Sequence, residues 1–226
     1  MTDTSEMRQA ILDVCRRLYD GGYIFGTWGN VSARLPDGNI LMTPSRMEYA
    51  DMMPEDLPVL TPGGEQVCGE RLSTSERELH RGILNARPDV NAVVHTHSPY
   101  AMAAAALEVS PAEGLSGGIP VLSEEMCQLL GGAIPITAEF VPSEEHAALG
   151  RAVTGALGNA SALLIRNHGI ICCGRNLREA EVAAQVAEKS AQVYLTLLAS
   201  GAPFRKVEEP YVTMGRNYFL YGYGKT

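Results

Sequence analysis

The chain has 226 residues, of which 46% are apolar and 19% are charged. This length and balance are typical of one globular domain with a sizeable core, and we expect a single domain over residues 1–226. The formal charge of −8 provides no basic surface for nucleic acid, although a local pocket can still hold a small phosphorylated substrate. No apolar run has the length of a membrane helix, so we expect neither a membrane nor a nucleic-acid partner.

The cysteines and the N-terminal residues indicate the compartment. The five cysteines are odd in number and include no C-x-x-C pair, and residues 1–6 lack the basic flank and apolar core of a signal peptide. These features favour a reduced, cytoplasmic protein over one held by disulfides. Cys172 and Cys173 follow an apolar run and are expected to be buried in a strand.

Helices and short strands alternate along the chain, as judged from hydrophobic spacing and turn residues. Helices are predicted over 5–20, 73–86, 100–107, 144–157 and 177–198. Strands are predicted near 30–34, 39–43, 59–60, 66–68, 90–96, 119–122, 134–140, 162–165 and 170–173. Because several of these strands form hairpins, the predicted fold class is α/β: an α/β/α sandwich with a mainly antiparallel central sheet covered by helices.

The longest predicted helix has clear ends. Asn176 is a good N-cap, and Gly201 is the kind of residue that stops a helix. One face of this helix is expected to pack on the core through Ala183, Val186, Ser190, Val193 and Leu197. The aromatic tail over 217–224 is expected to cover a neighbouring surface or a site.

The sequence His95-Thr96-His97 at the end of an apolar strand is the main chemical signal. Side chains alternate along a strand, so His95 and His97 share one face while Thr96 takes the other. Imidazole is the commonest protein ligand for zinc, and many catalytic zinc sites use three histidines. His168, which follows another apolar strand and precedes a glycine, is the candidate third ligand. The plainer interpretation is that these are polar residues at strand ends and turns.

The stretch Ser73-Thr74-Ser75-Glu76 opens a predicted helix and has two interpretations. In a capping box, Glu76 returns a hydrogen bond to the helix start. Alternatively, the amides of Thr74 and Ser75 form an anion site, and Glu76 beside it binds a metal or acts as a base. We expect His80, one turn further along, to be a core residue or a support for the ligands.

Two further loops carry donors suited to a phosphate group. Gly29-Asn30 offers backbone amides and a side-chain amide, and Thr43-Pro44-Ser45-Arg46 offers a hydroxyl and a guanidinium. Each loop is a weak signal alone. Together with the helix start at Ser73, they predict three phosphate-binding segments.

An ordered set of motifs runs through the chain. The segments are Gly26-Thr27-x-Gly29-Asn30-x-Ser32, Thr43-Pro44-Ser45, Ser75-Glu76, His95-x-His97 and Asn167-His168-Gly169. This set resembles the class II aldolase/adducin family, which includes fuculose-phosphate aldolases and ribulose-phosphate 4-epimerases, from about residue 7 to residue 200. The resemblance implies a homotetramer with cyclic four-fold symmetry, whose active sites lie at subunit interfaces and take a small phosphorylated sugar.

The resemblance also assigns site residues. It implies a divalent metal, usually Zn²⁺ with Mn²⁺ or Co²⁺ as alternatives. The implied ligands are Glu76, His95, His97 and His168, of which Glu76 is also the catalytic residue. The implied phosphate-binding residues are Gly29, Asn30, Ser45, Arg46, Thr74 and Ser75.

The implied reaction belongs to carbohydrate metabolism. It is the cleavage of a ketose 1-phosphate, of the fuculose-phosphate or deoxypentulose-phosphate type, to dihydroxyacetone phosphate and a small aldehyde. Glu76 favours an aldolase, because the related 4-epimerases tend to have aspartate there. The alternatives are a sugar-phosphate dehydratase, decarboxylase or 4-epimerase with the same metal site, and a non-catalytic interaction module like the adducin head.

The chain departs from the aldolase pattern at two places. Ser45-Arg46 stands where fuculose-phosphate aldolases usually have Thr-Gly. Those enzymes also bring a catalytic tyrosine from the adjacent subunit, yet residues 119–132 contain none. The proton donor to the aldehyde oxygen is therefore open, and the candidates are Glu124, Glu125, Tyr221 and Tyr223.

Overall fold

The computed structural model describes residues 4–108 and 117–224. The helices are α1 (Thr4–Asp20), α2 (Arg77–Ala86), α3 (Pro99–Ala105), α4 (His146–Leu157), α5 (Leu177–Ser200) and α6 (Glu209–Tyr221). The strands are β1 (Gly29–Arg34), β2 (Ile40–Met42), β3 (Val59–Leu60), β4 (Gln66–Cys68), β5 (Ala92–Thr96), β6 (Ala162–Ile165) and β7 (Gly169–Gly174). A 3₁₀ turn spans Pro54–Asp56 and a π-helical segment spans Met126–Leu130. None of the helices in these ranges combines the length and the apolar character that crossing a membrane demands.

The seven strands form one sheet in the order β4-β3-β2-β1-β5-β7-β6. All neighbouring pairs are antiparallel, which confirms the predicted α/β fold with a mainly antiparallel sheet. The histidine strand β5 lies near the centre, between β1 and β7. In this register Asn30 of β1 is opposite His95, and His95 is in turn opposite Ile171 of β7.

Each face of the sheet is covered by a separate apolar layer. Helices α1, α3 and α5, with the π-helical segment and α6, bury one face, and Val94 belongs to that cluster. Helices α2 and α4 bury the other face, and Val93 belongs to their cluster. Since side chains alternate along β5, His95 lies on the α2 side together with Val93. All five cysteines are free, and Cys172 and Cys173 are buried in β7.

Helix α5 has the predicted ends but a different buried face. The Asn176 side chain accepts a hydrogen bond from the Glu179 amide at 2.9 Å, and Gly201 ends the helix at φ 65°. The expected core stripe is wrong at Val193, whose exposure is 42%. The buried face consists mainly of small residues: Ala180, Ala183, Ala184, Ala187, Ser190 and Ala191. These small side chains let the helix lie close to the sheet. The face of α5 that contacts the sheet therefore consists mainly of alanines, and the larger Val193 lies outside it.

The prediction that a helix begins at Ser73 is wrong. Helix α2 begins at Arg77, and Glu76 precedes it without a side-chain capping bond, so no capping box forms. Ser73 instead forms an isolated β-bridge with Pro44. The Thr74 amide donates to the Thr43 carbonyl at 3.1 Å. Pairing with the distant 43–45 segment therefore holds these residues in an extended conformation.

The second half of the chain also differs from prediction. The strands expected over 119–122 and 134–140 are reduced to isolated bridges, Ile119 with Ile134 and Ile136 with Leu164. Helix α6 and the π-helical segment were not predicted, and they pack against each other. The aromatic tail largely belongs to α6, where Tyr218 and Tyr221 are exposed.

A hydrogen-bonded carboxylate ties the end of the histidine strand to helix α5. The Glu188 carboxylate accepts hydrogen bonds from the Ser98 hydroxyl at 2.7 Å and from the amides of Tyr100 and Ala101, each at 2.8 Å. Those amides open α3 and have no partner within that helix. Because Ser98 directly follows His97, Glu188 also fixes the backbone that carries this histidine.

We expect Glu188→Gln to lower the free energy of unfolding by about 2 kcal/mol, because it weakens three hydrogen bonds to a charged acceptor. Urea denaturation followed by far-UV circular dichroism measures the change. The control is Glu124→Gln, at an exposed carboxylate that accepts a hydrogen bond from Gln128. Equal losses in the two variants would contradict the anchoring role.

Candidate metal centre

Four of the predicted site residues converge at the end of the central strands. The ligand atoms of Glu76, His95, His97 and His168 all lie within 4.8 Å of one another. The Nε2 atoms of His95 and His97 are 3.0 Å apart. The Nε2 atom of His168 is 3.0 Å from Oε1 of Glu76, and the Nε2 atom of His95 is 3.4 Å from Oε2.

The four side chains are positioned by three parts of the backbone. His95 is the penultimate residue of β5, and His97 lies one residue beyond the strand end on the same side. His168 occupies the tight turn between β6 and β7, where Asn167 adopts φ 53°. Glu76 is the residue before α2. The cluster therefore draws on three separate elements of the sheet and its covering helix.

Two glycines allow the neighbouring strands to lie close to the histidine strand β5. A Cβ atom at Gly169 would lie 2.6 Å from the Thr96 carbonyl oxygen and 3.3 Å from Cε1 of His95. A Cβ atom at Gly29 would lie 2.8 Å from the His95 carbonyl oxygen, and its φ of 121° is one that other residues rarely adopt. Larger residues at either position would displace the histidine strand.

The protonation states of the cluster suit metal binding. Burial lowers the pKa of His97 to about 3 and also lowers the pKa of His95, so both imidazoles are neutral. Burial alone would raise the pKa of Glu76, but nearby His95 and His168 and a hydrogen bond from Asn30 together hold this pKa below its usual range. Neutral imidazole and ionised carboxylate are the forms that bind metal ions.

The tautomer of His95 also fits this role. Its Nδ1 atom lies 2.9 Å from the Ile170 carbonyl oxygen, which can only accept a hydrogen bond. Nδ1 therefore carries the proton and Nε2 directs its lone pair into the cluster, as in many metal-binding histidines. Three imidazoles and one carboxylate match the ligand set of a divalent cation, so the residues present fit a metal ion.

The three segments predicted to bind phosphate lie side by side. The Thr74 amide donates to the Thr43 carbonyl, and the Ser45 amide donates to the Leu72 carbonyl at 2.9 Å. The Thr43 hydroxyl in turn accepts a hydrogen bond from the Val31 amide of β1 at 3.2 Å. Backbone and side-chain hydrogen bonds thus join the 43–46 turn to both neighbouring segments.

Two of the predicted phosphate donors are already engaged within the protein. The Asn30 side-chain Nδ2 donates to Oε2 of Glu76 at 2.7 Å, and the Thr74 amide is taken by Thr43. Arg46 and Ser75 are exposed, and Ser45 is half-buried beside them. Gly29 lies at the start of β1 opposite Thr96.

The predicted proton donors have their contacts elsewhere in the chain. Glu125 forms an ion pair with Lys189 at 2.7 Å, and Lys189 belongs to α5, which packs on the face opposite His95. Glu124 accepts a hydrogen bond from Gln128. Tyr221, the last residue of α6, is 69% exposed, and Tyr223, just beyond the helix, is 63% exposed.

Three further residues lie beside the cluster. His80 is fully buried, and its ring nitrogens contact Asn30 and Ser32. The Trp28 ring lies 5.6 Å from the His97 ring, centroid to centroid. Sequence reasoning did not assign a role to Ser32 or Trp28. The alternation of Asn30 and Ser32 along one strand is the signal that places both on the His95 face.

Comparisons with known proteins identify the family of the chain. Residues 9–195 match the family described as the class II aldolase and adducin N-terminal domain. The chain belongs to this family, as its motifs predicted.

Curated relatives extend the match over most of the chain. One from Rhodospirillum rubrum, named 5-methylthioribulose-1-phosphate/5-deoxyribulose-1-phosphate aldolase, is 32% identical over 218 residues and aligns over 93% of each chain. The L-fuculose phosphate aldolase of Escherichia coli is 34% identical over 205 residues, with 89% of this chain and 88% of that protein covered. A solved structure named L-fuculose 1-phosphate aldolase has the same fold, with a TM-score of 0.85 at 23% identity over 98% of both chains.

We expect the purified protein to contain about one divalent metal ion per chain, and His97→Ala to lose most of it because one of four ligands is removed. Mass spectrometric metal analysis after gel filtration measures this. His146→Ala is the control, since His146 is exposed at the start of α4. A metal content unchanged in His97→Ala would rule out this site.

Proposed function

We propose that the protein is a zinc-dependent aldolase that cleaves a ketose 1-phosphate to dihydroxyacetone phosphate and a small aldehyde. The substrate is of the fuculose-phosphate or deoxypentulose-phosphate type, which are the substrates named for its relatives. The observation that carries this proposal is the buried group of three histidines and Glu76. Three nitrogen ligands and one carboxylate favour zinc, with Mn²⁺ or Co²⁺ as alternatives.

A metal ion held by Glu76 and the three histidines would supply Lewis-acid stabilisation of negative charge on substrate oxygens, worth several kcal/mol in such reactions. In the cleavage direction the C3–C4 bond breaks. The hydroxyl on C4 loses its proton and becomes the aldehyde oxygen, while C3 takes up a proton to complete dihydroxyacetone phosphate.

Glu76 is the group that we assign to the proton at C3. Its carboxylate is ionised, and its two oxygens are held at different places by Asn30 and His168. A carboxylate fixed in this way can give or accept a proton at one defined atom. Such general acid–base catalysis raises the reaction rate by about 10²–10⁴-fold.

The substrate phosphate is best accommodated beside Ser45, Arg46 and Ser75. These residues lie on adjacent segments and are partly or fully exposed, and Arg46 supplies the positive charge. Gly29 stays a predicted backbone donor. For Asn30 and Thr74 we replace the predicted phosphate contact by structural roles, because the Asn30 side-chain amide donates to Glu76 and the Thr74 backbone amide donates to Thr43.

The remaining proton transfer, at the aldehyde oxygen, needs a residue from outside the cluster. In the cytoplasmic homotetramer that we propose, a neighbouring subunit supplies it, and Tyr221 and Tyr223 are exposed near the chain end. Glu124 and Glu125 are the other candidates, although Glu125 is paired with Lys189.

A dehydratase, decarboxylase or 4-epimerase is the second candidate function. The observation that favours it is the absence of tyrosine from residues 119–132. These reactions also use a metal centre that stabilises negative charge, so the metal site alone does not distinguish them from an aldolase.

The aldolase proposal predicts carbon–carbon bond formation in the reverse direction. Incubation of the zinc-loaded protein and dihydroxyacetone phosphate with acetaldehyde, lactaldehyde or glycolaldehyde should give a condensation product, detected by mass spectrometry. Glu76→Gln should lower kcat at least about 10²-fold, because the proton-transfer group is lost. If no aldehyde gives a product, the dehydratase, decarboxylase or epimerase hypothesis replaces the aldolase.

The phosphate assignment predicts that Arg46→Ala raises KM about tenfold and changes kcat little, since it removes about 1.4 kcal/mol of binding. Steady-state kinetics on the substrate identified by the condensation assay measures this. Arg151→Ala, at an exposed position of α4, is the matched control. An unchanged KM in Arg46→Ala would place the phosphate elsewhere.

A further inference from the structure

An unbroken series of side-chain hydrogen bonds runs from strand β1 through helix α2 to Glu76. The Ser32 hydroxyl is 2.7 Å from Nδ1 of His80, and Nε2 of His80 is 2.5 Å from Oδ1 of Asn30. The Nδ2 atom of Asn30 is then 2.7 Å from Oε2 of Glu76. Ser32 and His80 are fully buried and Asn30 is 4% exposed.

The chemistry of the members allows one proton arrangement when Glu76 is ionised. A carboxylate only accepts hydrogen bonds, so Asn30 must turn its Nδ2 group towards Glu76 and its Oδ1 atom towards His80. Oδ1 also only accepts, so Nε2 of His80 carries the ring proton. Nδ1 of His80 then accepts the hydrogen bond from Ser32, and each of these groups is satisfied.

The surroundings of His80 also favour a neutral imidazole. Burial lowers the pKa of His80 to about 3, and the nearby His95 acts in the same direction. His80 is outside the group of four ligands, although it lies on the same face of the sheet.

We infer that His80 is a positioning residue, which with Ser32 fixes the amide orientation of Asn30 and thereby holds Glu76 in place for the metal and for proton transfer. If His80 could not donate, the Asn30 amide would be free to rotate and could turn its oxygen towards Glu76. Two acceptor atoms at 2.7 Å repel each other, so Glu76 would shift. The catalytic part of this inference rests on the proposed function, whereas the positioning of Glu76 does not.

Two substitutions by amide side chains test whether His80 acts through its hydrogen-bond donor or only through its size. In His80→Gln the side-chain nitrogen takes the position of Nε2 and keeps the donor to Asn30. In His80→Asn the shorter side chain reaches only the position of Nδ1 and loses that donor. We expect His80→Asn to weaken Zn²⁺ binding and lower kcat by about 10–100-fold, the usual cost of losing a group that orients a metal ligand, with KM little changed. His80→Gln should stay within about threefold of the unsubstituted protein, because the donor remains.

The Zn²⁺ affinity is measured by competition with a chromogenic chelator and does not depend on turnover. Equal affinities in the two variants, both folded by circular dichroism, would overturn the positioning role. If Zn²⁺ binding is weakened in His80→Asn but no substrate is turned over by the unsubstituted protein, the positioning role stands and the proposed function fails.

A second measurement keeps the inference testable if His80→Asn does not fold. Long-range ¹H–¹⁵N correlation spectra of the unsubstituted protein should show the proton of His80 on Nε2. Ser32→Ala should introduce the Nδ1-protonated form and weaken Zn²⁺ binding several-fold. A proton found on Nδ1 in the unsubstituted protein, or a Ser32→Ala variant with unchanged affinity, would overturn the inference.

Discussion

The antiparallel register between β1 and β5 is the constraint on which the site depends. It places Asn30 opposite His95 and Ser32 opposite Val93, with all four side chains on the face that α2 covers. A slip of one residue would turn His95 towards α5 and bring Thr96 to the site. The same ladder therefore sets the position of a candidate metal ligand and of the residues that we infer to orient Glu76. Gly29 and Gly169 protect this register, because a side chain at either would press on the backbone of β5.

The burial of Glu76 couples the chemistry of the site to the stability of the fold. Taking a carboxylate out of water is costly unless charged or hydrogen-bonding partners replace the solvent. Hydrogen bonds from Asn30 and His168 replace it here, and the pKa of Glu76 lies below its usual range despite this burial. The fold therefore holds an ionised carboxylate in a position that an isolated peptide of the same sequence would not maintain. Removal of either hydrogen-bond donor is expected to displace the Glu76 carboxylate and to disturb the packing of α2, which begins at the next residue.

The parts of the structure that local patterns determine were predictable from the sequence. Hairpin turns, the N-cap at Asn176 and the alternation of His95 and His97 each depend on neighbouring residues. His168 and Glu76 were candidates because of their positions after a strand and at a predicted helix start, and the family motifs then assigned both as ligands. Contacts between distant segments were not predictable: Thr74 pairs with Thr43 and so moves the start of α2 to Arg77. The partner of a side-chain donor is equally non-local, since nothing near Asn30 in the sequence shows that its side-chain amide donates to Glu76. The close approach of α5 to the sheet likewise shifted its buried face away from Val193.

Trp28 has a consequence for how this protein is studied in solution. It is the single tryptophan of the chain, it is 64% exposed, and its ring lies 5.6 Å from that of His97. Intrinsic tryptophan emission therefore comes from one edge of the candidate metal centre, while the apolar layers on both faces of the sheet contribute none. Emission and far-UV circular dichroism observe different regions of the molecule, so a difference between their denaturation curves would reveal local opening at the site before global unfolding.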